Sequence, residues 1–223
     1  MTVNQRWDRR RRPELGWDPV SPEYAAAYAA EVYRTTGPEL VDQTEALYGD
    51  LAGRTVLDLA AGPGQSAMEF ARRGAKVTWY DASRNYRAIA ARRAADEGLE
   101  LEFQIGHLDE FEGSYDIIFC SLAWYYCRDD TAFARRLITS LEPGGLLYCR
   151  INNGDYLRDA VRSQPASRRY LVLGQFELYA RTGIKLGHPQ CDTGRIAKAL
   201  ADAGAAKLRL HSERGTTLVS ARP

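Results

Sequence analysis

Apolar residues recur along this chain with two periods, and the switches between them lay out its elements. Short runs rich in Val, Ile and Leu lie at 55–60, 76–81, 101–105, 116–121 and 145–151. They read as strands buried on both faces. Between them, residues 65–73, 83–97 and 130–140 carry apolar side chains at helical spacing, which predicts amphipathic helices. Two helices precede this alternation. Ser21, Pro22 and Glu23 supply a cap, a first-turn proline and a carboxylate suited to the helix dipole. That helix runs to about Thr35, where Gly37 and Pro38 break it, and a second reaches about Tyr48.

Strands alternating with helices predict an α/β fold, a doubly wound, mostly parallel seven-stranded sheet with N-terminal helices. The order breaks at 153–190, where Asn153, Gly154, Gly174, Gly183, Gly187 and Pro189 accumulate. This predicts a lid inserted after the fifth strand, made of a helix and loops. A last helix at 192–203 and strands at 206–211 and 216–221 close the sheet. The chain is therefore expected to hold one domain over 21–223, with cap helices at 21–48, preceded by a basic flexible arm at 1–20.

Composition narrows the class. At 223 residues, 45% of them hydrophobic and 26% charged, the chain suits one soluble domain with an ample core. No stretch approaches the ~18 apolar residues of a membrane span, and no apolar segment follows the first arginines to make a secretory signal. Four cysteines without a close pair and three histidines without zinc-ligand spacing predict reduced thiols, no metal and a cytoplasmic setting. The net charge of +1 conceals five arginines (Arg6, Arg9, Arg10, Arg11, Arg12) near the start. These read as a solvated tail or as a dock for an acidic partner. The mildly acidic remainder argues against a nucleic-acid substrate.

The chemistry concentrates after the first strand, at Asp58, Leu59, Ala60, Ala61, Gly62, Pro63 and Gly64. A strand, a tight small-residue turn and a helix bring backbone N–H groups and a helix N-terminus against one ligand. Glycine lets that ligand approach the backbone closely. Asp81 ends the next strand, at the spacing of a carboxylate that holds ribose hydroxyls. A dinucleotide's pyrophosphate would be repelled by Asp58, whereas a sulfonium or ammonium would not.

On these residues the chain resembles the class I (Rossmann-like) S-adenosylmethionine-dependent methyltransferases of small-molecule type. The run from Val56 through Gly64 is similar to that family's first motif, with Ala60 in place of its first glycine. Asp81, followed by Ala82 and Ser83, matches the ribose-binding position. Gly106, His107, Leu108 and Asp109 fall where the family has its adenine turn, with His107 replacing an aspartate. Residues 115–121, ending in Ser121, resemble the strand bordering the methyl group, and Pro143, Gly144 and Gly145 resemble the turn into the fifth strand. The resemblance implies S-adenosyl-L-methionine as cofactor. It also implies that Tyr24 and Tyr28 close over the methionine end, or else anchor their helix.

The same resemblance implies an acceptor wall at Trp124, Tyr125 and Tyr126, directly after the fourth strand; ordinary helix packing is the competing reading. Tyr125 and His188 are the candidate catalytic groups, His188 competing with the reading of a plain turn histidine. Arg150, Asn152 and Tyr156 lie at and beyond the end of the fifth strand, where Arg150 suits an anionic acceptor. The expected activity is methylation of an oxygen or nitrogen of a small or carrier-bound metabolite in bacterial specialised metabolism. The alternative is a protein of the same fold that binds the cofactor but catalyses cyclisation or elimination, with or without a partner subunit or a second copy.

Overall fold

The computed structural model describes residues 10–186, 191–213 and 215–223. It divides into two compact units, one ending at Phe119 and the other beginning at Cys120. The strands form one seven-stranded sheet in the order β3-β2-β1-β4-β5-β7-β6, so the α/β architecture is as the periodicity predicts.

In the first unit, α1 (Pro22–Thr35) and α2 (Glu39–Tyr48) precede β1 (Thr55–Leu59), α3 (Gln65–Arg72), β2 (Lys76–Asp81), α4 (Arg84–Asp96), β3 (Leu101–Ile105) and β4 (Tyr115–Ser121). Ser21 caps α1, its hydroxyl accepting from the Tyr24 amide at 3.2 Å. Strand β2 runs parallel to β1 and to β3, with Leu59 opposite Tyr80 and Asp81 opposite Ile105. This register brings the chain out of β1, β2 and β3 along one edge, where ligands of such sheets bind. Beneath that edge lies a dry core that includes Val56, Leu57, Phe70, Trp79, Ile117 and Phe119. The Phe70 and Phe119 rings meet edge-on, 5.3 Å between centroids.

The second unit contains α5 (Asp130–Thr139), β5 (Leu141–Asn152), α6 (Gly154–Arg162), α7 (Ala166–Thr182), α8 (Thr193–Asp202), β6 (Arg209–Glu213) and β7 (Thr216–Ala221). Strand β7 is antiparallel to both β5 and β6. Two expectations change here. Strand β5 begins at Leu141, four residues earlier than 145, passing through exposed Glu142, Pro143 and Gly144. The 153–190 segment holds two helices instead of one, the second 17 residues long.

A buried ion cluster organises this unit. Asp130, 1% exposed, accepts from Lys185 Nζ at 2.7 Å and Arg195 Nε at 3.0 Å, and from the Trp124 indole at 2.9 Å. Lys185, 3% exposed, also donates to the Cys127 carbonyl at 3.1 Å. The Tyr179 ring lies under both cations, at 5.5 and 5.8 Å. Burial alone would raise the Asp130 carboxyl, but Lys185 and the Trp124 N–H outweigh it and hold the group below the usual carboxylate range. One side chain thus fixes the turn before α5, the end of α7 and the start of α8.

Among the described residues, no helix is long and apolar enough to cross a membrane. Asp130→Ala should lower unfolding free energy by about 3–5 kcal/mol, because it leaves a buried ammonium without a counter-charge. Lys198→Ala, which removes an exposed pair with Asp202, should cost less than about 1 kcal/mol. Urea denaturation of the two variants checks both; equal losses would show that the Asp130 cluster is no tighter than a surface pair.

Candidate cofactor site

The turn after β1 is held in a conformation that side chains resist. Gly62 and Gly64 have φ of 53° and 89°, and Ala60 sits at 58°, in the left-handed region that costs a non-glycine residue about 1–2 kcal/mol. A Cβ at Gly64 would come within 2.8 Å of the Ala90 methyl on α4, whereas one at Gly62 would point into open space. Gly64 is therefore fixed by packing, and Gly62 leaves the backbone bare toward a ligand. The Trp79 indole donates to the Gly62 carbonyl at 3.0 Å and steadies the loop from below.

Two carboxylates lie on this turn. Asp58, buried near the end of β1, accepts from the Ala67 amide in the first turn of α3. Its Oδ2 is buried and has no hydrogen-bond partner. Burial, with the nearby charge of Asp81 adding to it, pushes the Asp58 carboxyl up to about 7. Asp81 accepts from the Gly62 amide at 2.9 Å and the Ser83 amide at 2.9 Å. Burial and the charge of Asp18 lift its carboxyl to about 6 against the Gly62, Ser83 and Ala82 amides. The N–H groups expected to face the ligand are thus partly spent inside the protein, on its own anions.

That arrangement selects the ligand's chemistry. A helix N-terminus ordinarily attracts an anion, but at α3 Asp58 already occupies it. A phosphate would meet two carboxylates. A ligand carrying a cation toward Asp58 and hydroxyl donors toward Asp81 would complete the partnerless Oδ2 and favour the charged forms.

Other anticipated residues fall around this centre. Tyr80 donates to the His107 carbonyl at 3.1 Å, and a side chain at Gly106 would strike the Tyr80 phenol. Leu108 is buried and Ala82 lies in the β2–α4 turn, also buried. His107 is 1% exposed, and its Nε2 lies 2.8 Å from the Arg11 carbonyl, which requires that nitrogen to donate. Its ring edge is thereby engaged by the N-terminal segment. Residues 10–20, expected within a flexible arm, are held on this unit by that bond and by others described below.

Tyr24 and Tyr28 stack at 6.0 Å, and Tyr28 meets Tyr86 of α4 at 5.8 Å, an anchoring ladder. The tyrosine of α1 that touches the turn is Tyr33, which sequence reasoning missed. Its hydroxyl donates to the Pro63 carbonyl at 2.8 Å, and the Arg93 guanidinium lies 3.7 Å over its ring. A cleft of about 250 Å³ opens beside it, lined among others by Gly37, Leu40, Gln65, Ser66 and Glu69.

In the second unit the remaining candidates separate into packing and polar groups. Ser121 is half-buried at the end of β4. Leu122 beyond it has φ of 55°, its amide donating to the Arg150 carbonyl at 2.7 Å. Trp124, expected to wall the acceptor, is fully buried, packed edge-on to Phe133 at 4.9 Å and bonded to Asp130. In this structure it is a core residue. Tyr125 and Tyr126 sit 4.4 Å apart. Burial, with Tyr126 adding to it, pushes the Tyr125 phenol well above 10, so at neutral pH it holds its proton and cannot begin as a base. Arg150 is half-buried opposite Leu218 of β7. Asn152 is buried, and Tyr156 is 44% exposed. The polar work visible here falls to the neighbour Asn153, which caps α6 and whose Nδ2 donates to the Glu213 and Thr216 carbonyls, each at 2.8 Å. His188 lies outside the described residues.

Residues 56–145 match the family described as a methyltransferase domain. The fold is that of the class I S-adenosylmethionine-dependent methyltransferases. The chain is 30% identical over 104 residues to the ubiquinone biosynthesis O-methyltransferase of Aeromonas salmonicida, a match covering 45% of this chain and 44% of that one. It is 28% identical over 136 residues to the protein of the same name in Bordetella avium, covering 59% and 54%. The chain thus matches about half the length of these relatives. In fold it is similar to magnesium protoporphyrin IX methyltransferase from Synechocystis, solved with bound SAH (TM-score 0.58, 18% identity, 91% and 83% covered). It is also similar in fold to the (4+2)-cyclase SpnF (TM-score 0.62, 16% identity, 82% and 79% covered). S-adenosylmethionine carries a cationic end and a ribose that suit the charge pattern around the turn.

The raised carboxyls of the methyltransferase domain give its cofactor binding a pH dependence. Both groups ordinarily titrate near ~4, so the empty folded protein retains protons that the unfolded chain has released. Its stability from these groups is greatest below ~4 and declines as pH rises through about 6 to 7. A cation at Asp58 reverses the preference, so binding releases a proton. Calorimetry should find S-adenosylhomocysteine, through its ammonium, binding more tightly from about pH 5.5 to 8, by up to about tenfold per unit for one proton. Asp58→Asn should flatten that slope; an unchanged slope would remove Asp58 from the cation's environment.

Proposed function

We propose that this protein transfers a methyl group from S-adenosylmethionine to an oxygen or nitrogen of a small molecule, with oxygen the favoured atom. The observation that carries the reading is the buried, partnerless Asp58 Oδ2 at the head of α3, beside an Asp81 already oriented by backbone amides. The preference for oxygen is supported by the curated relatives, which are named O-methyltransferases.

When bound, the cofactor supplies a methyl group on positively charged sulfur, an electrophile that needs no further activation. The chain's own residues then have to orient and exclude water, the effects that dominate such a displacement. Asp81 accepts from the ribose hydroxyls with the lone pairs that the Gly62, Ser83 and Ala82 amides leave open. Asp58 holds the cationic end. Tyr33, through the Pro63 carbonyl, keeps the turn at one distance from α1. A base is needed only where the acceptor keeps its proton; His188 is the candidate for that role, and Tyr125 serves as a donor that orients the acceptor.

Two experiments test the proposal. Asp81→Ala should weaken S-adenosylhomocysteine binding by about 1.5–3 kcal/mol, roughly ten- to a hundredfold, as expected for lost bonds to a charged acceptor. Mass spectrometry of reactions with phenols, carboxylates and amines should show products heavier by one CH₂ unit with equimolar S-adenosylhomocysteine. A converted substrate beside unconsumed cofactor would replace methyl transfer with cyclisation or elimination.

A further inference from the structure

We propose, resting on the cofactor reading above, that residues 11–18 form a strap across the adenosine end of the site, latched by His107 and Arg84. The strap spans the two turns that flank Asp81. On one side, His107 Nε2 donates to the Arg11 carbonyl at 2.8 Å, and the Trp17 and His107 rings stand 6.0 Å apart. Arg12 pairs with Glu110 at 3.1 Å. Glu14 reaches Gly106 closely enough that a Cβ there would lie 3.4 Å from its Oε1. On the other side, the Arg84 guanidinium donates to the Pro13 carbonyl and, at 2.9 Å, to the Glu14 carbonyl. Asp18 accepts from the Asn85 amide at 2.9 Å, and the Asn85 side chain returns a bond to Val20 at 2.7 Å.

The two turns already meet at Asp81, whose carbonyl accepts from the Gly106 amide at 3.1 Å. The strap therefore clips the ribose carboxylate's own turn to the turn bearing His107. Most of its bonds are made through backbone carbonyls, so it docks by shape and position more than by side-chain identity. A segment with one short 3₁₀ turn and few buried residues, Pro13 and Pro19 among them, opens at low cost unless something else holds it. In this assignment the adenosine group holds it. Arg84 is a positioning residue, since its contacts are to the strap and it acts through it.

Coupling of this kind is reciprocal: whatever factor the ligand adds to strap closure, the closed strap adds to ligand affinity. The test uses the full-length protein and S-adenosylhomocysteine. Trypsin should cut the bond between Arg11 and Arg12 in the empty protein, and saturating S-adenosylhomocysteine should slow that cut at least tenfold. Arg84→Ala should raise the dissociation rate of S-adenosylhomocysteine by a similar factor while its thermal melt stays that of a folded protein, and Arg84→Lys should restore part of the loss. His107→Phe, which keeps ring volume but removes the donor, should act in the same direction. Unchanged cleavage together with an unchanged dissociation rate in Arg84→Ala would overturn the strap and leave the cofactor assignment standing. Failure of the wild type to bind S-adenosylhomocysteine at all would overturn both.

Discussion

The placement of two buried carboxylates against the turn after β1 is the constraint on which the rest of the first unit depends. Asp58 and Asp81 belong to adjacent parallel strands, and the register that sets Leu59 opposite Tyr80 delivers both to the same edge. Each is buried enough that its charged form is disfavoured, and each is partly rescued by backbone amides, Ala67 of α3 for Asp58 and Gly62, Ser83 and Ala82 for Asp81. A shift of Asp58 from near 4 to about 7 corresponds to something on the order of 4 kcal/mol against the charge. A folded protein retains such a group where a ligand reverses the sign. Electrostatic disfavour in the empty state is the counterpart of selectivity for a cation in the bound one.

Everything near the turn follows from having to hold it still. Ala60 accepts a left-handed φ that a glycine would take without strain, and backbone strain of this size persists only where the surroundings over-determine it. Those surroundings are visible: Trp79 beneath the Gly62 carbonyl, Ala90 against Gly64, and Tyr33 on the Pro63 carbonyl. Burial pushes the Tyr33 phenol up to about 12 despite Arg93 above its ring, so it remains a hydrogen-bond donor at any physiological pH. Helix α1 brings the Tyr33 hydroxyl to the turn, and its Tyr24–Tyr28 stack meets Tyr86 of α4.

The inner strands were legible because burial on a parallel sheet writes itself as short apolar runs, and the helices between them keep their 3.6-residue period; edge strand β3, with Glu102 and Gln104 between its apolar residues, and exposed β6 carry no such run. The glycine turn and Asp81 were legible because their spacing reflects a backbone shape. Tyr33 was not, since its partner is a carbonyl and nothing in Pro63 marks it as an acceptor. Residues 10–20 escaped for the same reason: their partners, at Arg11, Pro13 and Glu14, are main-chain oxygens. Arginine-rich composition suggested a solvated arm because side-chain charge dominates any reading of composition. At Trp124 the packing reading describes the ring better than the acceptor wall does. Three aromatics after a strand look like a wall, but an indole N–H placed against a buried carboxylate six residues ahead draws the ring into the core.

Asp130 bears on the segment between β5 and α8, where sequence was least informative. Replacing buried ion clusters by apolar side chains often leaves stability unchanged or raises it, so the cluster is weak evidence for stability and better evidence for a fixed arrangement. Its partners are separated widely along the chain, from Trp124 and Cys127 to Lys185 and Arg195. A carboxylate that must satisfy an indole, an ammonium and a guanidinium together tolerates only one register among them, whereas apolar contacts could slide. Helix α7 shows the contrast. It exposes Tyr170 at 83% and Leu171 at 60%, and its apolar residues do not define one buried face. Without a hydrophobic stripe to set its rotation, the helix has its orientation fixed near its C-terminal end, where Tyr179 meets Lys185 and Arg195. Charge complementarity at one end thus does for this segment what periodicity does for the helices of the sheet.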